Sequence, residues 1–215
     1  MLRSFLSTLI MVPVLVSAAD RVGDFSLLDQ DGYHHGMSWY DDHQAIVFLV
    51  QSNDSESASA AVSGFNDLKS KYEEAGVEFL MINPMGRLNR EAVQERVKEH
   101  GVDIPVLMDD ARVISETLGI ERVGEVLIFD PKRFSVEFRG TVPSAEVALK
   151  QLLENEEISP RVVETNGMIV SYPQKETPSY VADIAPVLAE QCASCHREGG
   201  VAPFAMDSHT MVKGW

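Results

Sequence analysis

Ala45-Ile46-Val47-Phe48-Leu49-Val50, followed by the polar stretch Gln51 to Ser57, decides the fold class of this chain. Six consecutive apolar, largely β-branched or aromatic residues suit a strand buried on both faces, and such strands belong to sheets covered on either side by helices. The pattern then changes period. From about Glu56 to Ala75, Ala61, Phe65, Leu68 and Tyr72 recur at three- or four-residue spacing, giving a helix with one face able to cover a sheet. Val77 to Ile82 reads as a second strand. A helix follows from Asn89, with Ala92, Val93 and Val97 on its apolar face and His100-Gly101 as its end. This is the order of a βαβ unit.

Working outward, Val106-Leu107-Met108 is a short strand, and Ala111 to Leu118 a helical segment. Glu125 to Phe129 and Phe134 to Phe138 flank Asp130-Pro131-Lys132-Arg133, a hairpin signal because aspartate and proline favour the turn between two apolar strands. Ser144 to Leu153 closes with a helix. Parallel strands with crossover helices, then a terminal hairpin and helix, predict an α/β protein with a thioredoxin-like sandwich.

The N-terminus points to export. Met1-Leu2-Arg3 is a short positive region, Phe5 to Val16 is apolar but broken by Pro13, and Val16-Ser17-Ala18 supplies small residues before a cut near Ala18 or Ala19. Residues 1–19 are therefore expected to be a signal peptide, and the mature chain a periplasmic or otherwise exported soluble protein. No later segment has the apolar length of a membrane span. Across the full chain 33 Asp plus Glu face 18 Lys plus Arg, for a formal net charge of −15. That balance offers no basic stripe for phosphates, so a nucleic-acid partner is not expected.

A second region follows a composition shift. Glu154 to Glu157 is acidic, Pro160, Gly167, Pro173 and Pro178 punctuate the connection, and Met168-Ile169-Val170 is an apolar patch suited to packing as a short strand. This gives an expected organisation of 1–19 signal peptide, 20–155 redoxin-like domain, 156–179 linker and 180–215 terminal segment. In that last segment Asp183 is placed to cap a short helix, which ends in Cys192-Ala193-Ser194-Cys195-His196. These are the only two cysteines in the chain. Two thiols three positions apart with an adjacent imidazole form the attachment spacing of haem c, each thiol taking a vinyl group and the imidazole the iron.

Two other readings compete for the same residues. A zinc site needs further ligands, and His34, His35, His43 and His100 are scattered elsewhere. A dithiol or a plain disulfide needs only Cys192 and Cys195, but leaves His196 without a role. The spacing therefore predicts one covalently attached haem c, held by Cys192, Cys195 and His196. For a sixth iron ligand Met206, His209 and Met211 are the local candidates, with Met211 preferred and an open position equally available.

Residues Phe25 to about Leu153 resemble a redoxin or thioredoxin-like domain, through Ala45 to Val50 and Val123-Gly124-Glu125-Val126-Leu127-Ile128-Phe129-Asp130. The resemblance implies a cysteine, often a CxxC pair, in the loop filled here by Gln51 to Glu56. It also implies a cis-proline where this chain has Gly124. Neither is present, so thiol exchange is unavailable within this domain. Asn53, Asp54 and Glu56 then read as helix capping, with peptide or metal binding as the lesser alternative.

Tyr180 to Trp215 resembles the start of a cytochrome-c-like, mainly helical segment. Together with Gly199-Gly200-Val201-Ala202-Pro203-Phe204 and Gly214-Trp215, the chain resembles the N-terminal part of exported composite proteins that continue into a copper type II, ascorbate-dependent monooxygenase-like region. The implied function is electron transfer by a periplasmic c-type haem protein to a redox partner, the redoxin-like domain serving as scaffold or docking module. A truncated component awaiting a missing oxidoreductase domain and a haem-based sensor are the alternatives.

Overall fold

The computed structural model describes residues 20–53, 56–85, 90–101, 103–172 and 177–213. The signal-peptide stretch 1–19, Asp54, Asn89 and Gly214-Trp215 lie outside them. The chain divides into two compact units between Tyr172 and Pro173.

The first unit contains β1 (Asp20–Arg21), β2 (Ser26–Leu28), β3 (His34–Gly36), β4 (Ala45–Val50), α1 (Glu56–Tyr72), β5 (Val77–Asn83), α2 (Arg90–His100), β6 (Val106–Met108), α3 (Val113–Thr117), β7 (Val126–Asp130), β8 (Ser135–Gly140) and α4 (Val142–Leu153). Six strands form one sheet in the order β1-β8-β7-β4-β5-β6, while β2 and β3 form a separate hairpin. β4 runs parallel to β5 and antiparallel to β7. This is the thioredoxin-like sandwich.

Alternation along β4 separates the two cores. Ala45, Val47 and Leu49 join Val62, Phe65 and Leu68 of α1, Val93 of α2, and Ala145, Ala148 and Leu149 of α4. Ile46, Phe48 and Val50 point to the opposite face, with Phe25, Met37, Leu118, Ile120 and Val170. Phe65 meets Phe79 edge-on at 5.4 Å between ring centroids, and Phe129 meets Phe25 and Phe48 at 5.8 and 6.0 Å. Such aromatic pairs add to area burial about 0.5–1.5 kcal/mol each.

Local chemistry explains the boundaries. α1 leads into a short 3-10 turn that stops at Gly76, whose φ of 79° closes it in the left-handed region. α4 begins at Val142 rather than Ser144 because Thr141 caps it, its side chain accepting from the Ser144 amide while Ser144 caps back. In the β7–β8 hairpin Asp130 accepts from the amides of Lys132 and Arg133 at 2.8 and 3.0 Å, and Phe134 falls in the turn at φ 54°. The second strand therefore starts at Ser135.

After α4, residues 161–170 return as a strap on the same unit. Arg139 donates to Arg161 O and accepts from Val163 N, both at 2.9 Å. Further along, Val123 N donates to Met168 O and Val170 N to Glu121 O, also at 2.9 Å. Val170 is buried and joins the second core, so the Met168-Ile169-Val170 patch packs on the redoxin-like fold.

The second unit holds a helical run of three pieces, Tyr180–Ile184 and Leu188–Cys192 wound as π-helix with Ala185–Val187 as α-helix between them, and a final short helix His209–Lys213. Ser179 caps the run by accepting from Ala182 N, whereas Asp183 reaches back to accept from Ser179 N. No side chain among described residues 177–213 is buried. This segment is helical, but it has no hydrophobic core of its own. Among the described residues, no helix is long and apolar enough to cross a membrane.

Candidate functional site

The carboxyl end of β4 is where the fold presents its loop to chemistry, and the sequence fills that loop with amides. Gln51 Nε2 donates to Asn53 Oδ1 at 2.9 Å, Asn83 Nδ2 donates to Gln51 Oε1 at 3.2 Å, and Asn83 Oδ1 accepts from Met85 N at 3.0 Å. Arg96 of α2 donates to Asn53 O at 3.1 Å. Gln51 and Asn83 are buried, so these hydrogen bonds satisfy polar groups that would otherwise be desolvated without partners. The network's side-chain amides are neutral and none of them is a nucleophile. Glu56 opens α1, and Asn53 accepts through both its side-chain oxygen and its carbonyl.

Beside this loop Gly124 takes φ 86°, which fits a glycine where a cis-proline was implied by resemblance. Its amide donates to Val50 O at 2.7 Å, and Val50 N donates to Glu125 O at 2.8 Å, locking the turn to β4. Burial holds the Glu125 carboxyl above the usual carboxylate range, although the amides of Glu121 and Arg122 and the Arg139 guanidinium at 3.7 Å oppose that shift. The strap covers the segment just before the turn. Gly167 lies so close that a Cβ there would meet Val123 O at 2.0 Å, and Arg122 Nη1 donates to Gly167 O at 3.0 Å.

On the β2–β3 hairpin, Asp29 Oδ1 accepts from the amides of Asp31 and Tyr33, both at 2.9 Å. Its Oδ2 lies 3.0 Å from His35 Nε2, and His35 Nδ1 lies 2.8 Å from the Tyr40 hydroxyl. One tautomer satisfies all of them, Nε2–H donating to Asp29 and Nδ1 accepting from the phenol. Burial, helped by Glu78 and Asp29, pushes the Tyr40 hydroxyl up to about 12, so it remains a donor at neutral pH. The cluster ties the hairpin to the 3-10 turn Met37–Tyr40. His34 instead packs its ring against Trp39 at 4.6 Å between centroids.

The thiols sit in the second unit. Cys192 is half-buried at the end of the helical run, Cys195 is exposed, and both are free. The Cys192 carbonyl accepts from Cys195 N at 3.2 Å and His196 N at 3.0 Å, so one turn brings the three residues together. His196 Nδ1–H donates to Phe204 O at 3.0 Å, with the two rings 4.5 Å apart. Gly200 passes close enough that a Cβ would meet Cys195 O at 2.3 Å. Met211 is 43% exposed and its amide donates to Ser208 Oγ, while His209 packs edge-on against Tyr180 at 4.9 Å. Met206 N donates to His196 O at 2.8 Å, a backbone contact.

With this geometry in place, comparison with known proteins gives the lineage. Residues 18–144 match the AhpC/TSA family. The chain belongs to that family. A hypothetical protein of Sinorhizobium meliloti is similar in structure at 17% identity and a TM-score of 0.65, over 74% of this chain and 97% of that one. An uncharacterized conserved protein of Geobacillus kaustophilus is similar at 19% identity and a TM-score of 0.63, over 78% and 96%. A thiol:disulfide interchange protein of the thioredoxin family from Chlorobium tepidum is similar at 14% identity and a TM-score of 0.53, over 64% and 98%. No curated protein matches the sequence.

These findings correct the reading of haem c, and with it the cytochrome-c-like identity of 180–215, the electron-transfer function and the relation to copper type II monooxygenases. The matched family and the similar structures are thioredoxin-fold proteins. Among the described residues no three His, Cys, Asp or Glu are grouped to hold a metal ion. The physical reason is local. CxxCH is also the spacing of a single turn, and here the Cys192 carbonyl closes that turn with two amides. A haem pocket depends on an apolar enclosure, whereas the described terminal residues bury no side chain.

Proposed function

We propose that this member of the AhpC/TSA family is an exported, thiol-based redox protein. In this reading Cys192 and Cys195 form its exchanging dithiol, and the redoxin domain serves as a scaffold that engages a disulfide-bearing partner. One observation carries it: the only two cysteines of the chain are free thiols one turn apart, while the family's thiol loop holds the Gln51–Asn53–Asn83 amide network.

Exposure assigns the order of attack. The Cys195 thiolate attacks a partner disulfide, forming a mixed disulfide and releasing one partner thiol. Cys192 then attacks the Cys195 sulfur, which releases the second partner thiol and leaves a Cys192–Cys195 disulfide. Two electrons have moved from this chain to the partner. An external dithiol restores the reduced pair, and an oxidising exported compartment drives the same steps in reverse.

The test is reduction of an insulin-like disulfide by the full chain with a dithiol reductant. Turnover above the reductant alone is expected for the wild type and its loss for Cys195→Ser, while Cys192→Ser should accumulate the mixed disulfide. A rate that survives Cys192→Ser/Cys195→Ser rejects the proposal.

A further inference from the structure

We propose that Asn166-Gly167, in the middle of the strap, is a site of spontaneous deamidation, and that the reaction turns a seated strap into one that no longer seats. The site is independent of the dithiol.

The sequence supplies the chemistry. The asparagines of the chain are followed by Asp54, Asp67, Pro84, Arg90, Glu156 and Gly167, and only at Gly167 does the attacking amide belong to a residue without a side chain to hinder it. Gly167 N gives up its proton and attacks the side-chain carbonyl carbon of Asn166. The bond from that carbon to the side-chain nitrogen breaks, ammonia leaves, and a five-membered succinimide closes. Water then opens the ring at either carbonyl. One opening gives aspartate; the other gives isoaspartate, in which the backbone runs through the Asn166 Cβ and is one carbon longer. No electrons are transferred, and water is the only co-reactant.

The structure decides when this happens. Exposure alternates along the strap as in an extended strand: Val162, Glu164, Asn166 and Met168 face solvent, whereas Val163, Thr165 and Gly167 are partly buried. The Asn166 carboxamide is therefore open to water, and among the described residues the Gly167 amide has no acceptor. Ring closure turns the Gly167 nitrogen back over the Asn166 side chain, which extended backbone does not allow. Two bonds hold the strap extended after Asn166, Arg122 Nη1 donating to Gly167 O at 3.0 Å and Val123 N to Met168 O at 2.9 Å. Before it, Val163 N donates to Arg139 O at 2.9 Å. Closure waits on the opening of the strap.

The isoaspartate product does not reseat. Gly167 already passes so near Val123 that a Cβ would meet its carbonyl oxygen at 2.0 Å, and one more backbone carbon at residue 166 takes the Gly167 and Met168 carbonyls out of line with their donors. The new carboxylate also falls on the same side of the strap as Glu164, where like charges repel.

The experiment incubates the full chain in neutral buffer beside an unfolded peptide of residues 164–170, following isoaspartate at each asparagine by peptide mass spectrometry and enzymatic methylation. Isoaspartate is expected at Asn166 before any other asparagine, more slowly in the folded chain than in the peptide, and not at all in Asn166→Gln. Arg122→Met, which removes the bond to Gly167 O, should speed the reaction of the folded chain about two- to tenfold. Hydrogen exchange at the Val123 amide should be faster in the isolated isoaspartate chain and unchanged in fresh Asn166→Asp, which adds the charge without lengthening the backbone. No isoaspartate at Asn166, its earlier appearance at another asparagine, a folded chain as fast as the peptide, or an isoaspartate chain with Val123 still protected would each overturn the proposal.

Discussion

Gly167→Ala tests how the strap is held. The added Cβ would sit 2.0 Å from Val123 O, whereas ordinary van der Waals contact begins at 3.4 Å, so the strap must move by more than an ångström or peel away. Backbone on both sides leaves no flexible side chain to yield. Three hydrogen bonds are at stake: Val123 N to Met168 O, Val170 N to Glu121 O, and Arg122 Nη1 to Gly167 O. Each contributes about 0.5–1.5 kcal/mol net, and re-exposing Val170 costs about 1.5–3 kcal/mol. Freed strap residues recover conformational entropy, which leaves an expected destabilisation of about 2–4 kcal/mol. Denaturant unfolding of the full chain reads that loss, and hydrogen exchange at the Val123 and Val170 amides shows whether the strap has opened. Gly64→Ala is the matched control, expected to be neutral or to stabilise by up to about 1 kcal/mol because its Cβ meets only Val142 Cγ1, at 3.4 Å. Stability of Gly167→Ala within about 0.5 kcal/mol of wild type, with both amides still protected, would refute the steric argument.

Three further outcomes follow from buried groups. Glu125 keeps its proton longer in the folded than in the unfolded chain, so its stabilising share is complete below about pH 4.5 and is lost as pH rises through the folded value. The stability of wild type relative to Glu125→Gln should therefore fall as pH rises past about 4.5, and a flat or rising difference would contradict the shift. Alkaline difference spectra of wild type against Tyr40→Phe should isolate one phenol ionising at about pH 12, and a value at the usual 10 would contradict the desolvation of the hydroxyl beside Glu78 and Asp29. Phe65→Ala should destabilise by about 3–5 kcal/mol in denaturant unfolding, since the ring is wholly buried against Phe79; a loss under about 1 kcal/mol would mean that α1 is not seated as described.

The sandwich was legible because its signals are periodic. Ala45–Val50 reads as a buried strand from composition alone, and α1 follows from the spacing of Phe65, Leu68 and Tyr72. The β2–β3 hairpin left no such trace: three-residue strands are too short for a period, and what fixes them is the Asp29–His35–Tyr40 cluster, formed only on folding. The strap was legible only as the apolar patch Met168-Ile169-Val170, and its seat was hidden because Gly167 is required by the approach of Val123 O and not by a local turn. At the candidate site, the spacing of Cys192 and Cys195 pointed to redox chemistry but to haem attachment as its form, and the missing thiols of the β4 loop were legible as an absence in the sequence. The error lay in the cofactor. CxxCH specifies a turn with two thiols and an imidazole, and spacing alone does not distinguish a turn that carries haem from one that carries a dithiol.

The central claim is that Cys192 and Cys195 cycle between dithiol and disulfide. It is tested most directly by equilibrating the full chain in graded glutathione buffers, quenching with an alkylating agent and measuring intact and peptide mass. The account predicts one reversible two-electron transition, in which both thiols disappear together and a Cys192–Cys195 disulfide takes their place. Thiols that stay alkylatable at every potential, or that pair only with glutathione and never with each other, would contradict it.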